Sequence, residues 1–127
     1  MIIELPVQKR QIDPETQEIL SVEKIVKFDL DTSVYSEERW ETHFPALAAK
    51  EGLFQYISRI QEGSVTEKVK VIAMMKAIFC FIESNEITTY KGFAQMFDLA
   101  TPEYTDRLIN KLHAAFKLLL DGSSVKN

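Results

Sequence analysis

Apolar and polar residues alternate with period two from Ile2 to about Arg10 and again from about Glu18 to Leu30. That alternation is the signature of strands with one buried face, so Ile3, Leu5 and Val7 belong on one side of the first strand and Val26, Phe28 and Leu30 on one side of the second. Between them Asp13-Pro14-Glu15-Thr16 begins with an Asp-Pro turn signal, which predicts an antiparallel hairpin. Pro6 has no amide donor and assigns the first strand to a sheet edge.

After Thr32 the period changes to that of a helix. Ser36 is the expected N-cap of a short helix ended by Pro45, with Tyr35 and Trp40 forming a hydrophobic staple at its entry. A second helix is expected from near Ala46 to Glu62, carrying Leu53, Tyr56, Ile57 and Ile60 at helical spacing, with Gly52 as a break and Gly63 as its end. Ser64-Val65-Thr66-Glu67 has the capping-box pattern and opens the most apolar helix, in which Val71, Met74, Met75, Ile78 and Ile82 recur at three- and four-residue intervals. Apolar residues nearly surround it, which makes it the central helix. A short helix over Thr89 to Asp98 buries Phe93, Met96 and Phe97. Thr101-Pro102-Glu103 then starts a last helix running to about Leu120 and closed by Gly122. The pattern predicts an α+β fold, with an N-terminal antiparallel β-hairpin packed on a mostly α-helical domain of about five helices. The expected divisions are an arm over 1–32, a helical domain over 33–121 and a disordered tail over 122–127, all in one folding unit.

Composition narrows the function classes. With 127 residues, 46% hydrophobic and 27% charged, and four each of Gly and Pro, the chain is an ordinary globular domain with one core. A net charge of −4 argues against general affinity for nucleic acid or anionic membrane. The start, MIIELPVQKR, places its apolar residues before its basic ones, the reverse of a secretory signal. Val69 to Ile82 is interrupted by Lys70 and Lys76 and is shorter than the roughly 20 apolar residues of a membrane span. Cys80 is the only cysteine and, between Phe79 and Phe81, is expected to be a buried thiol.

Catalytic chemistry is not expected. His43 and His113 belong to no triad or metal pattern, and each reads as a surface or capping residue. Asp29, Asp31, Glu37, Glu38 and Glu41 cluster in sequence, but the spacing and turn glycine of a calcium loop are missing, and Glu37 and Glu38 suit the first turn of a helix. No phosphate loop or dinucleotide fingerprint is present, so no cofactor or metal is expected. Thr88 to Lys117 has the outline of a helix-turn-helix, yet Glu103 and Asp106 against a single Arg107 would repel phosphate. The aromatic set Tyr35, Trp40, Phe44, Phe54 and Tyr56 has two readings, a core between hairpin and helices or a partner-binding surface. The hairpin's edge strand is an equal candidate for self-association.

The run D-T-S-V-Y-S-E-E-R-W-E-x-x-F-P at Asp31 to Pro45, followed by E-G-L-F-x-Y-I-x-R-I, resembles the tail assembly chaperones of long-tailed phages and prophages of Gram-positive bacteria. The similarity continues through Thr89 to Leu99, the following P-E-Y and the polar tail G-S-S-V-K-N. The resemblance implies a small protein of the host cytoplasm, absent from the mature virion. Such a protein keeps the tape-measure protein soluble and helps tail-tube subunits assemble around it. It also implies a homo-oligomer without a cofactor. Many members are made in a longer form by ribosomal slippage, and Val125-Lys126-Asn127 can be encoded by GTA-AAA-AAC, which contains a slippery heptamer. Two other classes stay open: a structural component of tail or head completion that persists in the virion, and a helix-turn-helix DNA-binding regulator.

Overall fold

The computed structural model describes residues 1–62 and 67–124, the side chains of 67, 68 and 122–124 excepted. Strands β1 (Ile2–Ile12) and β2 (Ile19–Asp29) form an antiparallel hairpin, followed by helices α1 (Val34–His43), α2 (Pro45–Ala48), α3 (Leu53–Glu62), α4 (Glu67–Phe81), α5 (Tyr90–Ala94) and α6 (Pro102–Ser124). The α+β expectation holds. The second expected helix is divided, because the chain leaves α2 at Ala49 and re-enters helix at Leu53, next to Gly52.

The hairpin register pairs Ile3 with Phe28, Leu5 with Val26, Lys9 with Val22 and Ile12 with Ile19. Its turn is held by the Asp13 backbone, which exchanges bonds with Glu18 and Gln17, and by the Asp13 carboxylate accepting from Glu15 N–H at 2.9 Å. Gln17 takes the left-handed conformation, φ 63°, that closes this loop.

Ile3, Leu5, Val7 and Phe28 point into the core, where Phe28 meets Phe93 edge-on. β1 also packs against α6, where the Tyr104 hydroxyl donates to the Pro6 carbonyl. Gln8 is buried, donating through Nε2 to Asp98 O and Thr101 Oγ1. The root of the hairpin is therefore part of the body.

Helix α4 is central, burying Val71, Met74, Met75, Ala77, Ile78, Phe79, Cys80 and Phe81 against α1, α3, α5 and α6. Its capping-box candidate, with Gly63 before it, lies at 63–66, outside the described residues. At its other end Arg39 of α1 donates to the carbonyls of Phe79 and Ile82, the second of these bonds unusually short, and lies over the Phe79 ring. A guanidinium there satisfies terminal carbonyls and complements the negative end of the helix.

Four sequence expectations are corrected at helix ends. Ser33, not Ser36, caps α1, accepting from Tyr35 N–H, while Ser36 is buried within the helix and donates to Ser33 O. The Tyr35–Trp40 staple therefore does not form, since Tyr35 lies inside the helix and is exposed. Helix α5 ends at Ala94 rather than Asp98, and α6 continues through Gly122 to Ser124, so part of the expected tail is helical.

Candidate interaction surface

The five aromatic candidates do not form one surface. Trp40 is 0% exposed, stacks on Tyr56 at 4.7 Å and Phe44 at 5.6 Å, and donates its indole N–H to Glu51 O at 3.0 Å. Tyr56 is buried beside it, with Arg59 above its ring. Phe44 and Phe54 are half-buried and lean on the core through Phe79, Tyr90 and Phe81. Only Tyr35 stands out, at 56% exposure. Of the two readings of this set, Trp40 and Tyr56 take the core one, Phe44 and Phe54 stand at its margin, and Tyr35 is exposed. A tryptophan buried with its N–H satisfied contributes to packing and leaves nothing for a partner. Met74 and Met75 are buried as well.

Titratable groups follow the same rule. Burial pushes the Cys80 thiol up to about 12, and the sulfur sits 3.4 Å from Lys76 O. Burial lowers both His43 and His113; His43 meets the Phe79 ring edge-on at 4.9 Å, and His113 Nδ1 lies 2.8 Å from Gln61 Oε1. Glu37 sits in the first turn of α1, and its carboxylate also accepts from Leu53 N–H at 3.0 Å, fastening the start of α3. Among the described residues no group of three His, Cys, Asp or Glu side chains is placed to hold a metal ion, and no helix is long and apolar enough to cross a membrane.

At the start of α6, Arg107 is engaged by Glu23 of the hairpin, and Tyr104 and Leu108 are buried. The segment expected as the first helix of a helix-turn-helix contains only the five residues of α5.

Exposed apolar side chains are spread over the molecule, with Val34, Tyr35, Val69, Ile72 and Leu118 among those on the helices, and a group of five lies on the outer half of the hairpin. Beyond Gln8 on β1, and before Val26 on β2, the described side chains are exposed on both sheet faces. Ile12 and Ile19 are 66% and 63% exposed and pair directly across the strands, while Leu20 and Val22 lie on the opposite face and Ile25 nearer the root. Period two predicted strands here, and the faces it assigned to Ile3, Leu5, Val7, Val26, Phe28 and Leu30 leave these outer apolar residues unassigned. The signal available in the sequence was the length of the strands: eleven residues each is more than the small helical body can cover.

The two edges of this ribbon differ. On β1 the outward groups are those of the even-numbered residues: Asp98 N–H donates to Gln8 O at 3.0 Å, Pro6 has no N–H, and Tyr104 occupies its carbonyl. On β2 the outward groups are those of odd-numbered residues, since Glu83 N–H donates to Asp29 O at 2.9 Å and Asp31 N–H to Phe81 O at 2.7 Å. Alternation puts the N–H and C=O of Lys27, Ile25, Glu23, Ser21 and Ile19 on that same edge. Among the described residues none of these has a backbone partner.

The chain matches no family model, and no curated protein or solved structure matches it.

Proposed function

We propose that this protein is a phage tail assembly chaperone that binds the tape-measure protein, keeps it soluble and promotes assembly of the tail tube around it. The observation that carries this reading is the hairpin arm, which holds Ile12, Ile19, Leu20 and Val22 exposed beside a body that buries most of its aromatic residues. A long helical client exposes apolar faces until its tube covers them. Branched aliphatic side chains on a protruding ribbon can cover such faces without requiring one sequence. The resemblance of Asp31 to Ile60 and of Thr89 to Leu99 to this chaperone family supports the same reading. Action in the host cytoplasm, absence from the virion and a longer frameshifted form belong to the proposal. Codons for Val125-Lys126-Asn127 that break the slippery heptamer would remove slippage at that site.

Co-expression with the tape-measure protein of the same genome tests the reading. A soluble complex is expected from a client that is insoluble alone, and Ile12→Ser with Leu20→Ser should lower its recovery at least tenfold. A client that stays insoluble and unbound would overturn the proposal. Recovery of the protein from purified virions would replace it with a structural role, and salt-dependent retardation of duplex DNA with a regulatory one.

A further inference from the structure

We infer that the free edge of β2 pairs with the same edge of a second copy of this chain, antiparallel about a two-fold axis at Val22, to make a continuous four-stranded sheet. Among the described residues this edge offers the longest unbroken run of free backbone groups. The edge of β1 is interrupted by Pro6 and covered by Asp98 and Tyr104, whereas β2 presents unpaired donors and acceptors from Lys27 to Ile19. Unpaired strand edges with apolar neighbours are templates for another strand.

The occupant follows from which register the side chains permit. In an antiparallel self-pairing, outward odd-numbered residues must face odd-numbered residues of the second copy. Centring the axis on Val22 places Ser21 opposite Glu23, Leu20 opposite Lys24 and Ile19 opposite Ile25, with Val22 facing itself. No like charges meet. Moving the axis to Glu23 sets two carboxylates directly opposite each other, and moving it to Lys24 does the same with two ammonium groups; like charges so placed are destabilising. The axis at Lys24 also brings Ile19 to Asp29, whose carbonyl is already taken by Glu83. An axis at Ser21 shortens the paired stretch.

The Val22 register also completes both faces. On one, Ile12 and Ile19 of each copy continue into Ile25 of the other, beside a cavity of about 390 Å³ lined by Pro6, Ile25, Asn110 and Ala114 among others. On the opposite face, Leu20 and Val22 meet Val22 of the second copy. This pairing specifies the edge and register of the self-association expected from the sequence, and it does not depend on what the protein carries.

Cysteine cross-linking of the full chain, without any client, tests it. Val22→Cys lies on the axis in a pair not bridged by backbone bonds, where Cα atoms stand about 4.5 Å apart, within disulfide reach. Native Cys80 does not compete, being buried with its thiol pushed up to about 12. Under mild oxidation Val22→Cys should form a disulfide dimer at least tenfold faster than Lys24→Cys. Mixing Ile19→Cys with Ile25→Cys should give the heterodimer preferentially. Ser21→Pro removes an outward N–H without touching the bonds to β1, and should shift the protein from dimer to monomer in sedimentation equilibrium with its circular dichroism unchanged. A wild-type protein that sediments as a monomer at 100 μM, a dimer unaffected by Ser21→Pro, or equal cross-linking at Val22 and Lys24 would each overturn the inference. Loss of client binding with the dimer intact would bear on the proposed function alone.

Discussion

Trp40 shows how far residue type alone misleads. Tryptophan is enriched both in cores and at interface anchors, and only its contacts with Phe44, Tyr56 and the Glu51 carbonyl decide between them. Trp40→Ala is expected to cost about 3–5 kcal/mol, seen as a lower urea midpoint, because it leaves a cavity in the centre of the fold. Unchanged stability would return Trp40 to the surface. The histidines make a second residue-scale prediction. Partial desolvation, with Arg39 near His43 and Lys70 near His113, holds both below the ordinary value of 6.5, so between that value and their folded values the unfolded chain binds more protons than the native one. Their contribution to stability is complete above pH 6.5 and is lost as pH falls through the folded values. Urea midpoints should fall on going from pH 7.5 toward pH 5, and less so in a His43→Gln, His113→Gln double variant. Capping residues were harder to read: Ser33 and Ser36 are both serines near one helix start, and the extended backbone that selects Ser33 is not a property of either side chain.

Among the elements, the hairpin was the most legible. Alternation located both strands, grouped Ile3, Leu5 and Val7 on one and Val26, Phe28 and Leu30 on the other, all buried except the half-buried Val26, and assigned Pro6 to an edge. The loop was less so, because Gln17 adopts a positive φ with no glycine or asparagine to announce it. The pairing of β1 with α6 had no local signal either, since Tyr104 lies nearly a hundred residues from the Pro6 carbonyl it donates to. Tyr104→Phe leaves that buried carbonyl without its partner and should cost about 1–3 kcal/mol in chemical denaturation. A neutral result would mean that the hydroxyl adds nothing to the docking of the hairpin root. The division of the Ala46 to Glu62 segment turns on Gly52 and on Glu37, whose carboxylate meets the first amide of α3.

At the scale of the whole molecule, a body that buries most of its aromatic residues carries an arm whose exposed residues mix Ile12, Ile19, Leu20 and Val22 with charged side chains. The two should separate experimentally. Ile12→Ser with Leu20→Ser touches no core contact and should change unfolding free energy by about 0.5 kcal/mol or less, even while it removes client binding. A large loss of stability would show that the arm is part of the folding unit to its tip. The sequence by itself determined the hairpin, the central α4, the thiol buried among phenylalanines and the succession of helices, because these depend on periodicity and on turn chemistry within a few residues. The tertiary structure alone decided that Trp40 and Tyr56 face inward, that Arg39 finishes α4, and that the β1 edge is occupied at Pro6 and Gln8 while the β2 edge is free from Ile19 to Lys27. Those outcomes depend on which distant groups arrive to satisfy a donor, an acceptor or an apolar face, and that information lies in the packing of the whole chain.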